Sequence, residues 1–231
     1  MSHKPTPLPS ESARRLIGNA RIFRGLSEPR RAELAARAHI RSFAAGETIF
    51  GMGGRGDCLM AVLSGRVRVS VTSQGGDEMM LALLGPGDIL GEIAVLDGGE
   101  RTADATAQSA CTMAVVDRRD ILSLLEREPT AWLAIVELLC ARLRSTDRHI
   151  AEIALLDLPA RLASALLRMS DEGKSADVRL SQRELGRMVG ASRESVNKCI
   201  GQWQRSGVVQ VDGATIRIVK KSALQRIAEA D

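Results

Sequence analysis

The sequence predicts an α+β protein, with strands gathered in its first half and helices dominating its second. Three observations carry this. Short apolar runs separated by glycine-bearing turns follow one another from Thr48 to Val116. An apolar stripe at alternating spacings of four and three runs from Trp132 to Ile153. Beyond Leu158-Pro159, two short capped helical segments precede a hairpin signal at Asp212-Gly213.

Taken in order, residues 1–11 hold three prolines and no apolar core. They read as a mobile tail rather than a secretory signal. From Ser12 to Ala38 the pattern is helical: Leu16, Ile17 and Ala20 share one face and Leu34, Ala35 and Ala38 another, with Ser27 before Glu28-Pro29 as a helix start. After Phe43 the apolar runs are Thr48–Phe50, Cys58–Leu63, Val67–Thr72, Met79–Leu84, Ala103–Ala107 and Cys111–Val116. Val67, Val69 and Val71 alternate with Arg66, Arg68 and Ser70, the period of a strand with one wet face. So many short strands point to a sandwich or barrel.

Helix returns at Arg118–Arg127 and again from about Pro129 to Leu156. In the second helix, Trp132, Val136, Leu139, Leu143, Thr146, Ile150 and Ile153 form a heptad seam. Such a helix either lies on its own domain or pairs with a second copy. The narrow stripe, flanked by Glu137, Arg142, Arg144, Arg148 and Glu152, favours a dimer. Thr146 is the polar residue in that seam, and a buried hydroxyl needs a partner, for which a ligand would serve. Leu158-Pro159 breaks the run. A helix over Ala160–Ser170, a polar loop over Asp171–Asp177, two short helices and a hairpin of Val208–Val211 with Thr215–Val219 follow. The expected organisation is a tail at 1–12, a β-rich domain at 13–128, a long helix at 129–157 and a C-terminal module at 158–231.

Composition narrows the function classes. No run reaches the ~18 apolar residues of a membrane span, and a soluble, cytoplasmic protein is expected. Cys58, Cys111, Cys140 and Cys199 are far apart with no Cys-x-x-Cys pair, and His3, His39 and His149 are equally scattered. This argues against a disulfide framework, an iron–sulfur cluster or a catalytic metal. From Leu158 onward there are 13 Lys and Arg against 8 Asp and Glu, while residues 1–157 are close to neutral. A basic terminal module on a neutral body suggests a polyanion partner.

The module contains a reading element. Ser181-Gln182-Arg183-Glu184 is a capping box, Gly190 ends that helix, and Ser192 caps the next, from Arg193 to about Gln204. Two short helices around a glycine turn form a helix-turn-helix, whose second helix presents its first residues to base edges. Arg193, Glu194 and Lys198 stand there. Arginine can donate twice to guanine, and glutamate can accept from cytosine. Val196, Ile200 and Trp203 form the inward stripe.

Within the β-rich region, Gly91-Glu92-Ile93-Ala94 can open a short helix whose amides suit phosphate. Arg101 adds a planar donor fork and Glu92 an acceptor for a sugar hydroxyl. By chemistry alone this is also an ordinary glycine-rich loop.

Gly91-Glu92-Ile93-Ala94 followed by Arg101-Thr102-Ala103 resembles the phosphate-binding cassette of cyclic-nucleotide-binding domains. The run from Val189 to Val196 resembles the helix-turn-helix of the cyclic-AMP receptor family. Both occur in order, with the long helix between them. The resemblance, over about residues 15–225, is to the cyclic-AMP receptor protein and fumarate–nitrate regulator superfamily. It implies an N-terminal cyclic-nucleotide-binding β-roll, a dimerisation helix and a winged helix-turn-helix. It further implies a homodimeric transcription regulator, not an enzyme, that binds palindromic double-stranded DNA and partners RNA polymerase.

Carried over by residue, the resemblance gives Glu92 the ribose hydroxyl and gives Arg101, Thr102 and the amides of Gly91, Ile93 and Ala94 the cyclic phosphate. Arg142 pairs with Glu92, and Thr146 contacts the base. Arg193, Glu194 and Lys198 read a TGTGA-like half-site, with Ser181, Arg183, Ser192 and Asn197 completing the DNA set. Two positions depart from the pattern: Asp147 stands where it has serine, and Lys198 where it has arginine. A carboxylate only accepts hydrogen bonds, and guanine offers two adjacent N–H groups. cGMP is therefore expected as a ligand beside cAMP. The alternatives are a regulator of the same build answering another signal, and a nucleotide-binding subunit acting on a protein partner. An enzyme is disfavoured, because no paired acid or activated nucleophile accompanies Glu92.

Overall fold

The computed structural model describes residues 6–7, 26–172 and 175–230. The early stripe of Leu16, Ile17 and Ala20 and most of the expected tail lie outside them. Thr6–Pro7 forms a short strand, β1, paired antiparallel with His39–Ile40. The chain divides into two units, residues 1–71 with 81–143 and residues 72–80 with 144–231.

The first unit is built on two antiparallel sheets. After α1 (Glu28–Arg37) come β2 (His39–Phe43), β3 (Thr48–Phe50), β4 (Cys58–Ser64), β5 (Val67–Thr72), β6 (Glu78–Leu84), β7 (Ile89–Leu90), the short helix α2 (Glu92–Asp97), β8 (Asp104–Ala107) and β9 (Cys111–Asp117). One sheet has the order β1-β2-β9-β4-β7 and the other β3-β8-β5-β6. The central strands β4 and β9 are apolar over Cys58–Leu63 and Met113–Val116, where both of their faces are covered. Met60, Val62, Met113 and Val115 pack against Phe43, Ile49, Val67 and Ala105 between the sheets. Leu59, Ala61, Ala114 and Val116 face outward onto a cluster of helical residues. Successive side chains of a strand alternate in direction, so a doubly covered strand shows no polar alternation.

That outer cluster is supplied by α1 (Leu34, Ala35), by α3 (Arg118–Arg127; Ile121, Leu124, Leu125) and by the first turns of α4 (Thr130–Leu155; Ala131, Ile135). The expected start at Ser27 holds, but its hydroxyl reaches Glu128 at 3.3 Å instead of capping α1. Strand β5 does not present one wet face. Val67 and Ser70 are buried, whereas Arg68, Val69 and Val71 are half-buried. The strand's twist takes it out of flat alternation.

The long helix ends at Leu155, and its seam is open in the single chain. Trp132, Val136, Leu143 and Ile150 are 43%, 50%, 61% and 59% exposed. Leu139 leans on the core instead.

The second unit holds α5 (Leu158–Glu172), β10 (Asp177–Arg179), α6 (Gln182–Val189), α7 (Arg193–Arg205), β11 (Val209–Asp212), β12 (Thr215–Ile218) and α8 (Lys221–Ala228). Its sheet has the order β10-β12-β11, and the hairpin turns at Gly213-Ala214, one residue beyond the expected Asp212-Gly213, because Asp212 still pairs with Thr215. Strand β10 and helix α8 are additions to the sequence reading. Arg217 clamps β10 by donating to both oxygens of Asp177, at 2.7 and 3.0 Å. Helix α5 packs on α6, α7 and α8 and is the spine of this unit. Its Leu162 and Leu166 are fully buried.

Truncating such a spine leaves a void that rigid neighbours cannot fill. Leu166→Ala is expected to destabilise the second unit by about 2–5 kcal/mol. A denaturant melt followed through Trp203 checks this.

Candidate nucleotide site and nucleic-acid interface

Several of the residues expected at the nucleotide site lie around the turn into α2. Gly91 sits there at φ +83°, a left-handed conformation that favours glycine. Space demands glycine as well, because an added Cβ would lie 2.0 Å from an Arg101 guanidinium nitrogen and 3.2 Å from the Cys58 carbonyl oxygen. Gly91 thus lets Arg101 pass directly under the backbone of the cassette.

Arg101 is 4% exposed. Its guanidinium donates to the Gly91 carbonyl at 2.9 Å and to the Cys58 carbonyl at 2.7 Å, with the Cys58 sulfur 3.5 Å away. It also stacks over Phe50, 4.4 Å from the ring centre. Its Nε has no hydrogen-bond partner among the described residues.

Glu92 is the first residue of α2 and is 1% exposed. Arg142, from α4, donates to its Oε1 at 2.5 Å and also to the Ile89 carbonyl. The second oxygen, Oε2, is buried with no partner among the described residues. Burial pushes the Glu92 carboxyl above the usual carboxylate range; Arg142, a backbone N–H and Arg101 pull it back. A buried carboxylate with one oxygen committed and the other unfilled can accept a hydroxyl from outside. A buried guanidinium that rests on carbonyls can exchange them for an anion. These are the two functions that a sugar phosphate requires.

The structure therefore brings Gly91, Glu92, Arg101 and Arg142 together. Ala94 is buried below the cassette, Ile93 is 39% exposed on it, and Thr102 is exposed next to Arg101. Thr146 and Asp147 are exposed on α4, in the second unit. Sequence reasoning missed Phe50 and the carbonyls of Cys58 and Ile89. Backbone acceptors carry no residue signature, so no sequence pattern could have found the carbonyls.

In the second unit the capping box is formed: Ser181 Oγ accepts from the Glu184 amide, and Glu184 Oε2 accepts from the Ser181 amide at 2.6 Å. Gly190 is left-handed at φ +64°, and Ser192 Oγ accepts from the Ser195 amide at 3.1 Å. Val196, Cys199, Ile200 and Trp203 are buried, so α7 turns Arg193, Glu194, Asn197 and Lys198 to solvent. Arg183 is exposed on α6. Arg183 and Arg193 line an open groove of about 580 Å³ that is bounded on the other side by the β11–β12 turn at Gly213 and Ala214. Ser181 and Ser192 already serve as caps; the Ser181 hydroxyl proton is left as a donor for a further partner, whereas the Ser192 hydroxyl donates to Ser195 Oγ at 3.0 Å. Among the described residues no helix is long and apolar enough to cross a membrane, and no His, Cys, Asp and Glu group is placed to hold a metal ion.

Arg142→Ala leaves Glu92 buried with its principal cation gone. Breaking a buried pair in this way costs about 3–5 kcal/mol; with Arg142 34% exposed, a loss of about 1–3 kcal/mol is expected. The Glu92 pKa then rises further. A carboxyl raised in the folded state makes that state bind the extra proton, so stability falls as pH climbs through the raised value. The gap between wild type and variant is expected to be wider at about pH 7.5 than at about pH 5, as measured by urea melts.

Residues 40–128 match the Cyclic nucleotide-binding domain family, and residues 160–227 match the Crp-like helix-turn-helix domain family. The chain is 31% identical over 220 residues to the CRP-like cAMP-activated global transcriptional regulator of Mycobacterium tuberculosis, covering 92% of this chain and 98% of the relative. It is 34% identical over 208 residues to the Cyclic AMP receptor protein of Thermus thermophilus, covering 90% and 96%. Among solved structures, the c-di-GMP responsive global regulator CLP of Xanthomonas campestris superposes with a TM-score of 0.72 at 25% identity, over 79% of this chain and 94% of that one. A nucleotide cassette of this geometry, a capped helix-turn-helix and full-length likeness to such regulators establish that the chain belongs to the cyclic-AMP receptor and fumarate–nitrate regulator family of transcription regulators.

Proposed function

We propose that the protein is a homodimeric, cytoplasmic regulator in which cAMP binding promotes sequence-specific binding to a palindromic, TGTGA-like DNA site and presentation to RNA polymerase. The observation that carries the ligand is the buried pair of Glu92 and Arg142, with Glu92 Oε2 unfilled and Arg101 beside it. The ribose 2′-hydroxyl donates to Oε2. The cyclic phosphate draws Arg101 from the carbonyls of Gly91 and Cys58 and also takes donors from Thr102 and from the amides at Gly91, Ile93 and Ala94. Thr146 and Asp147, about one turn beyond Arg142 along α4, meet the base.

The exposed seam of Trp132, Val136, Leu143 and Ile150 supports the dimer, since an apolar stripe at this spacing is stabilised by a second helix. Ligand binding acts by differential affinity: nucleotide favours the state in which the two α7 helices stand about 34 Å apart, one turn of DNA. In that state Arg193, Glu194, Asn197 and Lys198 read base edges, while Ser181, Arg183 and Ser192 touch the backbone. Asp147 favours guanine, so cGMP also binds. Activation still follows the nucleotide that discriminates between the two states, not the one that binds more tightly. The likeness to a c-di-GMP responsive regulator supports a second reading, a different nucleotide signal on the same build.

Calorimetry with cAMP, cGMP and c-di-GMP tests these readings together. Arg101→Ala is expected to remain folded and lose ~1.5–3 kcal/mol or more of cyclic-mononucleotide affinity. Asp147→Ser is expected to lower the cGMP-to-cAMP affinity ratio; an unchanged ratio removes Asp147 from the base. Uptake of c-di-GMP alone would favour the second reading.

For DNA, Arg193→Ala is expected to cost ~1–3 kcal/mol per half-site and to relax preference at the guanine it reads. Retention of the wild-type consensus in a binding-site selection would contradict this assignment.

A further inference from the structure

Glycine within a helix is disfavoured relative to alanine. It persists where the backbone needs a left-handed turn, where a neighbour packs too close for a side chain, or where something outside the chain approaches. Gly186 in α6 is the second case, since an added Cβ would lie 2.5 Å from the Ala191 carbonyl oxygen. Gly201, well inside α7, is neither of the first two. It is not among the glycines with positive φ. The nearest atom to an added Cβ is the tip of Arg205, at 3.8 Å, an ordinary contact with a flexible side chain. Nothing in the fold of this unit requires glycine at that position.

Its place on the helix is informative. Residues three and four apart share a helix face, so Asn197, Lys198 and Arg205 surround Gly201 on the exposed side. Val196, Cys199, Ile200 and Trp203 turn inward. Among the described residues neither Lys198 nor Arg205 forms an ion pair. The feature is therefore a gap in the side-chain surface, bracketed by two uncompensated cations on the face that carries the base-reading residues.

Resting on the DNA-binding reading above, we infer that Gly201 is a phosphate seat, where a phosphodiester of the DNA backbone closes directly onto α7. Arg205 flanks the phosphate, and Lys198, reaching on to the base edge, borders the gap on its other side. Cations beside the gap supply the attraction, and the missing side chain supplies the approach distance. A β-carbon there would hold the helix away from the groove and lengthen the contacts made by Asn197 and Lys198.

The test compares stability with DNA affinity. Wild type, Gly201→Ala, Gly201→Leu and Arg205→Gln are melted thermally. Each is then titrated, with saturating cAMP or cGMP, onto a fluorescent duplex bearing two inverted TGTGA half-sites one helical turn apart. Gly201→Ala is expected to raise Tm by a few degrees and to weaken DNA binding about tenfold, with Gly201→Leu weaker again. Arg205→Gln is expected to lower the slope of log K against log salt by about one. Raised Tm with unchanged affinity in both Gly201 variants overturns the inference. A fall in Tm for Gly201→Ala also overturns it, because the glycine would then serve the fold. If the wild type fails to bind this duplex but the nucleotides bind, the DNA-site reading fails and takes the seat with it.

Discussion

The Glu92–Arg142 pair is the contact on which the arrangement of the first unit depends. It joins the cassette helix α2 to the long helix α4, across fifty residues of chain. A carboxylate that is 1% exposed is tolerated because a cation and an amide offset the loss of water. Its second oxygen is left over. A buried carboxylate oxygen with no donor carries an unmet desolvation cost, which any added hydrogen-bond donor relieves. The same pair ties α4 at Arg142 to the first residue of α2.

Arg101 has the complementary role. It lies under Gly91 and over Phe50, donating to two carbonyls. Buried guanidinium needs acceptors at all times, and backbone carbonyls meet that need when no anion is present. Phosphate is a stronger, charged acceptor of the same geometry. The cassette is therefore pre-formed and internally satisfied apart from single atoms of Glu92 and Arg101.

The second unit follows a different rule. Its stability comes from an apolar spine, with Leu162, Leu166, Leu185, Ile200 and Leu224 fully buried, and from caps that satisfy the helix ends. This leaves the solvent face of α7 free of structural duty. A surface that nothing in the fold constrains can carry a recognition pattern, and a glycine within that surface then points outward for its explanation.

The sequence by itself determined what local physics specifies. The capping box at Ser181, the left-handed Gly190, the existence of the β11–β12 hairpin and the limits of α3 and α4 were legible because each depends on residues within a few positions of one another. So was the residue content of the cassette, through its motif. The tertiary structure decided what depends on long-range pairing. β2 and β10 exist because β9 and β12 offer them hydrogen-bond partners, which no short window encodes. The mixed burial of β5 follows from twist between two covered faces, and period alone predicts a flat strand. Helix α8 acquires its meaning only by packing on α5. Within the site, the sequence supplied Glu92 and Arg101 but not the carbonyls of Cys58 and Ile89, nor the ring of Phe50. Those partners belong to separate strands, and only the folding of the sheets brings them to one point.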